Sequence, residues 1–251
     1  MRYFLELSYN GSNYCGWQRQ PGVASVQQTL EEALSLYLRE NIETTGAGRT
    51  DTGVHAAYYV AHFDTGVKLS DGRDFVYHVN SMLPGDIALK GITPVADDAH
   101  ARYDAIQREY AYYILPYKDP FRRDTSWQYL VPLDVGAMNE AAERLLRYDD
   151  FTSFAKLNSN NKTNICRVMS AGWRQAGGGE LVFTIRADRF LRNMVRAIVG
   201  TLVDVGRGKI TPQRFGEIVG ARDLSLSSGG APAQGLFLTD IKYTNLKFKR
   251  P

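Results

Sequence analysis

The strongest constraint on the fold is a change of hydrophobic period that recurs along the chain. Residues 3, 5, 7 and 9 are Tyr, Leu, Leu and Tyr, with Glu6 and Ser8 between them, the period of two expected of a strand. A turn follows at Asn10-Gly11. Ser25, with Gln28 three places on, resembles a capping box, and Val26, Leu30, Ala33/Leu34 and Tyr37/Leu38 continue at helical spacing, so a helix is predicted to about residue 40. Strand-like segments return at 57–63 and 87–92, around a short helix at 73–82.

The second half repeats this grammar without a fixed-period repeat. It predicts a tyrosine-rich strand at 108–115, a helix opened by Asp134 and strands at 165–174 and 180–187 joined by a Gly177-Gly178-Gly179 hairpin. A helix from about 189 and a last strand at 236–243 complete it. Such β-α-β-β alternation fits an α+β layer better than a doubly wound parallel sheet. The length of 251 residues suits two halves, each able to bury a core. A boundary is expected near 103–107, dividing 1–104 from 105–251. The small-residue loop 225–235 is expected to be mobile.

Hydrophobic residues at 44% and charged residues at 23% are ordinary for a globular protein. The net charge of +3 hints at a polyanionic partner without establishing one. Cys15 and Cys166 lack C-x-x-C spacing, which argues against a zinc site or disulfide framework and for reduced thiols in the cytoplasm. Glu6 interrupts the first apolar run, arguing against a signal peptide, and no later run approaches the roughly 20 residues that span a bilayer. His55, His62, His78 and His100 are too scattered for a metal set, and no metal is expected.

The most unusual stretch is Gly46-Ala47-Gly48-Arg49-Thr50-Asp51-Thr52-Gly53-Val54-His55. Three glycines bracket an arginine and one carboxylate, so backbone can approach a ligand closely. A phosphate loop fits poorly: the dinucleotide spacing would need glycine at 51, and the mononucleotide loop would need lysine where Val54 stands. A tight strand-to-strand turn with an exposed salt bridge fits the same residue types. Aspartate becomes a nucleophile when a cation keeps it ionised and the site aligns it with an electrophilic carbon.

A cation source lies at 189–202, where Leu191, Met194, Val195, Ile198 and Leu202 make an apolar face. Arg189, Arg192 and Arg196 fall at i, i+3 and i+7 on the other. A solvated amphipathic helix explains that stripe equally. In Arg108-Glu109-Tyr110-Ala111-Tyr112-Tyr113, alternation puts Arg108, Tyr110 and Tyr112 on one face, able to stack on an unpaired base; core packing is the plainer explanation. Trp17, within Gly16-Trp17-Gln18-Arg19-Gln20, reads as a core residue.

Together these segments resemble the TruA family of tRNA pseudouridine synthases. The resemblance rests on residues 9–34, on GAGRTDTGVHA at 46–56, QREYAYYI at 107–114, DFTSF at 150–154, FLRNMVRAIVGTLVDVGRGK at 190–209 and AQGLFL at 233–238. It implies two α/β halves with antiparallel, RRM/ferredoxin-like sheets joined across a central active-site cleft. It also implies a cytoplasmic, cofactor-free homodimer acting on tRNA uridines at the 3′ side of the anticodon stem-loop. Asp51 falls on the family's catalytic aspartate, Arg49 on the arginine before it, Tyr110 on the tyrosine that stacks on the target base, and Arg196 on the arginine that pairs with the aspartate. Thr52 replaces the usual alanine, and Glu109 and Ala111 stand where basic residues often flank the tyrosine. Arg102, Arg108, Arg189 and Arg192, with Arg122 and Arg123, are the expected tRNA-groove cations. A non-catalytic RNA-binding protein and a nucleotide-dependent enzyme are the two rival readings.

Overall fold

The computed structural model describes residues 1–69, 72–156 and 162–244. Its chain forms two compact units, Gln107–Phe237 being one and Met1–Ile106 the other, joined in the latter by the last strand from Leu238. Mixed helices and mostly antiparallel strands make the fold α+β.

In the first unit, β1 (Arg2–Tyr9) is followed by α1 (Val26–Leu38), β2 (Thr44–Gly46), β3 (His55–Asp64), α2 (Gly72–Met82) and β4 (Ile87–Val95). β1 lies between β3 and β4, antiparallel to both, with Arg2 opposite Asp64 on one side and Val95 on the other. Such a central strand is covered on both faces, so the alternation expected from its sequence does not leave Glu6 in water. Glu6 is 5% exposed and accepts a 2.9 Å hydrogen bond from the Tyr58 hydroxyl, which offsets the cost of burying a carboxylate. On the other face Tyr3 stacks on Phe63, and Phe63 on Phe75 of α2.

Ser25 caps α1 by accepting from the Gln28 backbone N–H, 3.3 Å away, as the sequence predicts. The reciprocal half of the box is missing, because the Gln28 side chain donates to Glu32 instead. α1 stops at Leu38, where Arg39 turns left-handed at φ 56°. Buried Glu31 accepts from the Thr44 N–H at 2.8 Å, tying α1 to β2 and thereby fixing where the following loop begins.

The second unit holds most of β5 (Ala105–Leu115), then β6 (Trp127–Gln128), α3 (Val135–Arg144), β7 (Val168–Gln175), β8 (Leu181–Ala187), α4 (Met194–Gly206) and α5 (Pro212–Ala221). β8 is antiparallel to β5 and to β7, with Tyr110 opposite Ile185 and Trp173 opposite Phe183. Asp134 caps α3 by accepting from the Ala137 N–H. The sequence reading missed α5, although Thr211 at its cap and Pro212 in its first turn are the usual start signals.

α4 departs from expectation. It begins at Met194 rather than near 189, because Asn193 is left-handed at φ 65°. Except for Arg196 and Asp204, every residue from Met194 to Gly206 is buried. A helix that is apolar nearly all round belongs inside a core rather than on a surface. Arg189 and Arg192 precede it, so the three arginines do not form a stripe on one helix.

The last strand, β9 (Leu236–Tyr243), neighbours β3. The Tyr243 hydroxyl donates to the Ala101 carbonyl at 2.6 Å, and its ring meets Phe4 edge-on. These contacts assign the strand to the first unit, whereas a simple division at 104/105 leaves it in the second.

Candidate active site

The Asp51 loop connects β2 to β3, an antiparallel pair with Gly46 opposite Ala61. Its floor is aromatic: Trp17 stacks on Tyr59 with centroids 4.2 Å apart, and Tyr9 meets the Tyr59 ring edge-on at 5.5 Å. Trp17 and Tyr59 are 2% and 0% exposed, so Trp17 is indeed core. Gly46 lies directly on this floor; a Cβ there would come within 2.1 Å of the Tyr59 hydroxyl and 2.6 Å of the Trp17 ring. Glycine at 46 is thus a requirement of packing, not evidence of a phosphate site.

Hydrogen bonds fasten the loop along its length. Ala47 N–H donates to the Val60 carbonyl, the Tyr59 hydroxyl to the Gly48 carbonyl, Trp17 N–H to the Thr50 carbonyl and Gly53 N–H to the Tyr14 carbonyl. The Thr50 and Tyr9 hydroxyls are bonded at 2.9 Å, and His55 Nδ1 accepts from Gly11 N–H at 3.0 Å. Tyr14 is itself anchored, donating its hydroxyl to Asp86 at 2.6 Å; burial, then Asp86, raise that hydroxyl above the ordinary tyrosine range. Asp51 contributes its backbone carbonyl to a turn closed by Val54 N–H at 3.1 Å. Its side chain is half-buried, while Arg49 in the same loop is exposed. A short carboxylate on a backbone held this firmly has little conformational entropy left to lose when it engages a reactant.

In the second unit Tyr110 is half-buried and meets Phe190 edge-on, centroids 5.1 Å apart and planes at 89°. Arg108 donates to the Asp188 carbonyl at 2.8 Å, and the Asp188 carboxylate accepts from the N–H groups of Arg167 and Arg189. The segment 188–190 therefore packs beside Arg108 and Tyr110. Tyr112, expected on the same face, is a core residue: it is fully buried and its hydroxyl donates to the Pro232 carbonyl at 2.7 Å. Burial pushes that hydroxyl above its usual range, with the charge of Arg196 acting against it. On the opposite face Glu109 is paired with Arg186, which gives the acidic departure from the family pattern a partner within the sheet.

Arg196 stands in the first turn of α4, its Nε–H donating to the Ala231 carbonyl at 2.7 Å while Ala231 N–H donates to the Arg196 carbonyl at 2.9 Å. The loop 225–235 was expected to be mobile; instead its middle is fastened to α4. Ser228 N–H donates to the Thr201 hydroxyl and Ser228 Oγ to Asp204. Small residues there serve close approach rather than freedom.

The remaining arginines are dispersed. Arg102, in the first unit, is exposed in a turn and lies over the Tyr103 ring. Arg192 is exposed and Arg189 half-buried. Arg122 pairs with Glu180 at 2.7 Å and lies over Tyr113, toward the far end of β5 from Arg108, and Arg123 pairs with its neighbour Asp124. Among the described residues no helix is long and apolar enough to cross a membrane.

A family model described as tRNA pseudouridine synthase matches residues 7–104 and 141–244. Among curated relatives, tRNA pseudouridine synthase A of Azobacteroides pseudotrichonymphae is 48% identical over 248 residues, covering 99% of each chain. The protein of that name from Parabacteroides distasonis is 49% identical over 242 residues, with 96% of each covered. That from Bacillus subtilis is 37% identical over 249 residues, covering 98% of this chain and all of the other.

Proposed function

The chain belongs to the tRNA pseudouridine synthase family, and on that premise we propose that it acts on uridines at the 3′ side of the anticodon stem-loop, with Asp51 as its nucleophile. The reaction is an isomerisation: the N1–C1′ bond breaks, a C5–C1′ bond forms, the C5 proton leaves and N1 gains one. Nothing is oxidised or reduced, so the proposed chemistry calls for no cofactor.

The observation that carries the role of Asp51 is its loop. A turn needs only the Asp51 carbonyl, yet the surrounding rings and hydrogen bonds hold the backbone that carries this half-buried residue in a defined place. In the proposed reaction the Asp51 carboxylate either adds to C6 of uracil or captures C1′, with elimination to a glycal as a third route. In the proposed site Arg196 is the positively charged partner of the nucleophile, as in the family the chain resembles. Tyr110, braced by Phe190, is the surface on which the extruded base rests, and its hydroxyl is the candidate base for C5. Arg49 supports the space vacated by the base. Arg102, Arg108, Arg189 and Arg192 contact phosphates, making affinity strongly salt-dependent. The protein is further proposed to be a cytoplasmic homodimer.

Incubation with an unmodified tRNA transcript, followed by mapping of pseudouridine, tests this reading. Pseudouridine at the 3′ side of the anticodon stem-loop is expected; its formation only elsewhere removes the proposed specificity.

A further inference from the structure

Arg196, Gly200 and Asp204 are spaced by four residues on the one face of α4 that carries polar groups, and all three engage the same short strap, residues 228–231. Asp204 accepts the Ser228 hydroxyl at 2.5 Å, and the neighbouring Thr201 hydroxyl accepts Ser228 N–H at 3.1 Å. At Gly200 a Cβ would lie 2.2 Å from the Gly229 carbonyl oxygen, so the strap crosses the helix there in contact with its backbone. Ala231 then exchanges two hydrogen bonds with Arg196, one to the main chain and one to the guanidinium Nε–H. Beyond it, Pro232 receives the Tyr112 hydroxyl.

Eight helical residues span about 12 Å, so Asp204 acts on the Arg196 end of α4 through the strap. Burial works against its ionisation, but the Ser228 hydroxyl, Lys209 and Arg207 outweigh it and hold the carboxyl below the usual range. Asp204 is therefore ionised throughout the neutral range. A charged acceptor makes the stronger hydrogen bond to a hydroxyl.

We infer that Asp204 and Ser228 are positioning residues for the isomerisation, acting by tying down the strap whose Ala231 carbonyl aims the guanidinium of Arg196. The inference rests on the role proposed above for Arg196, and explains why a helix otherwise buried keeps two charged residues and a glycine on one line.

Three variants test it: Ser228→Ala, Asp204→Asn and Gly200→Ala. Alanine is the better helix former, so Gly200→Ala displaces the strap without weakening α4. Each is assayed for single-turnover rate and tRNA affinity, and the Arg196 Nε–H is followed by NMR and hydrogen exchange. Expected are faster exchange at that proton and a fall in the chemical step on the order of 10- to 100-fold, as for a misplaced catalytic group, with affinity nearly unchanged. In an Arg196→Ala background the same substitutions should add little further loss, since the partners act as a unit.

Unchanged exchange at Nε–H would overturn the inference. So would rates that fall equally with and without Arg196, which is the signature of general destabilisation. If Arg196→Ala itself turns over like the unmodified protein, the role assigned to Arg196 fails together with the inference. The Nε–H exchange then still shows whether the strap holds the side chain, which separates that failure from a strap that never gripped it.

Discussion

The two units hold their charged residues in different ways. In the first, rings and main-chain hydrogen bonds through Tyr9, Trp17, Tyr59 and Tyr14 grip the backbone around Asp51. In the second, the Ala231 carbonyl grips the Arg196 side chain itself. The first arrangement rests on the aromatic floor beneath the loop. The second couples the charged side chain to a strap more than 30 residues later in the chain, so its loss alters both.

Asp51→Asn carries the largest expected effect and tests the first half of that contrast. Turnover should drop to background, because an amide keeps the shape but is no anionic nucleophile, while the melting temperature and tRNA affinity stay close to those of the unmodified protein. Appreciable pseudouridine from the pure variant would remove Asp51 from its role, and a large loss of stability would show that the clamp includes the carboxylate.

Tyr110→Phe comes next. The phenylalanine ring retains the edge contact with Phe190 and the face for stacking, so affinity should fall little. If the hydroxyl removes the C5 proton, single-turnover rates should drop about a hundred- to ten-thousand-fold, with an enlarged isotope effect from deuterium at C5. Unaltered rates would reduce Tyr110 to a stacking surface.

Trp17→Ala attacks the floor of the Asp51 loop. Removal of a fully buried indole typically costs about 3–5 kcal/mol, read from the shift in the urea midpoint at constant slope. Amide exchange at Ala47 and Gly53 should quicken with it. A loss below about 1 kcal/mol would mean that the hydrogen bonds alone hold the loop.

The smallest expected effect concerns acid. All four histidines, at 55, 62, 78 and 100, lie in the first unit. His62 is 5% exposed and accepts from Ala101 N–H through Nδ1. Burial first, then the charges of Arg2 and His100, lower its pKa to about 4, against the opposing pull of Asp64 and Asp104. Between that value and the ordinary 6.5 the unfolded chain binds the extra proton, so stability contributed by neutral His62 is present above pH 6.5 and is lost as pH falls toward 4, up to about 3 kcal/mol. His62→Asn, whose side-chain oxygen can accept the same N–H, should flatten the dependence of the first unit's unfolding on pH over this interval. An unchanged slope would place the acid sensitivity elsewhere.

Much of the fold was legible because period and capping are local. The first strand, the Ser25 and Asp134 caps, the helix at 73–82 and the last strand all follow from residues within a few places of one another. The special character of residues 46–55 was equally visible. The misreadings share a cause. Periodicity in 189–202 joined two segments that a left-handed Asn193 separates, and small residues at 225–235 looked like freedom because their partners on α4 are distant in sequence. Gly200 inside an apolar helix was the available signal of a close crossing.

The sequence alone thus determined the alternation of strands and helices and where the unusual run of residues 46–55 lies, since hydrophobic period and residue type are properties of short segments. Only the tertiary structure decided that the last strand joins the first unit, that Tyr112 is core while Tyr110 keeps part of its surface, and that Asp204 and Ser228 reach Arg196 through a strap. Those outcomes depend on which distant segments exclude water from one another and which carbonyls their folding brings within hydrogen-bond range.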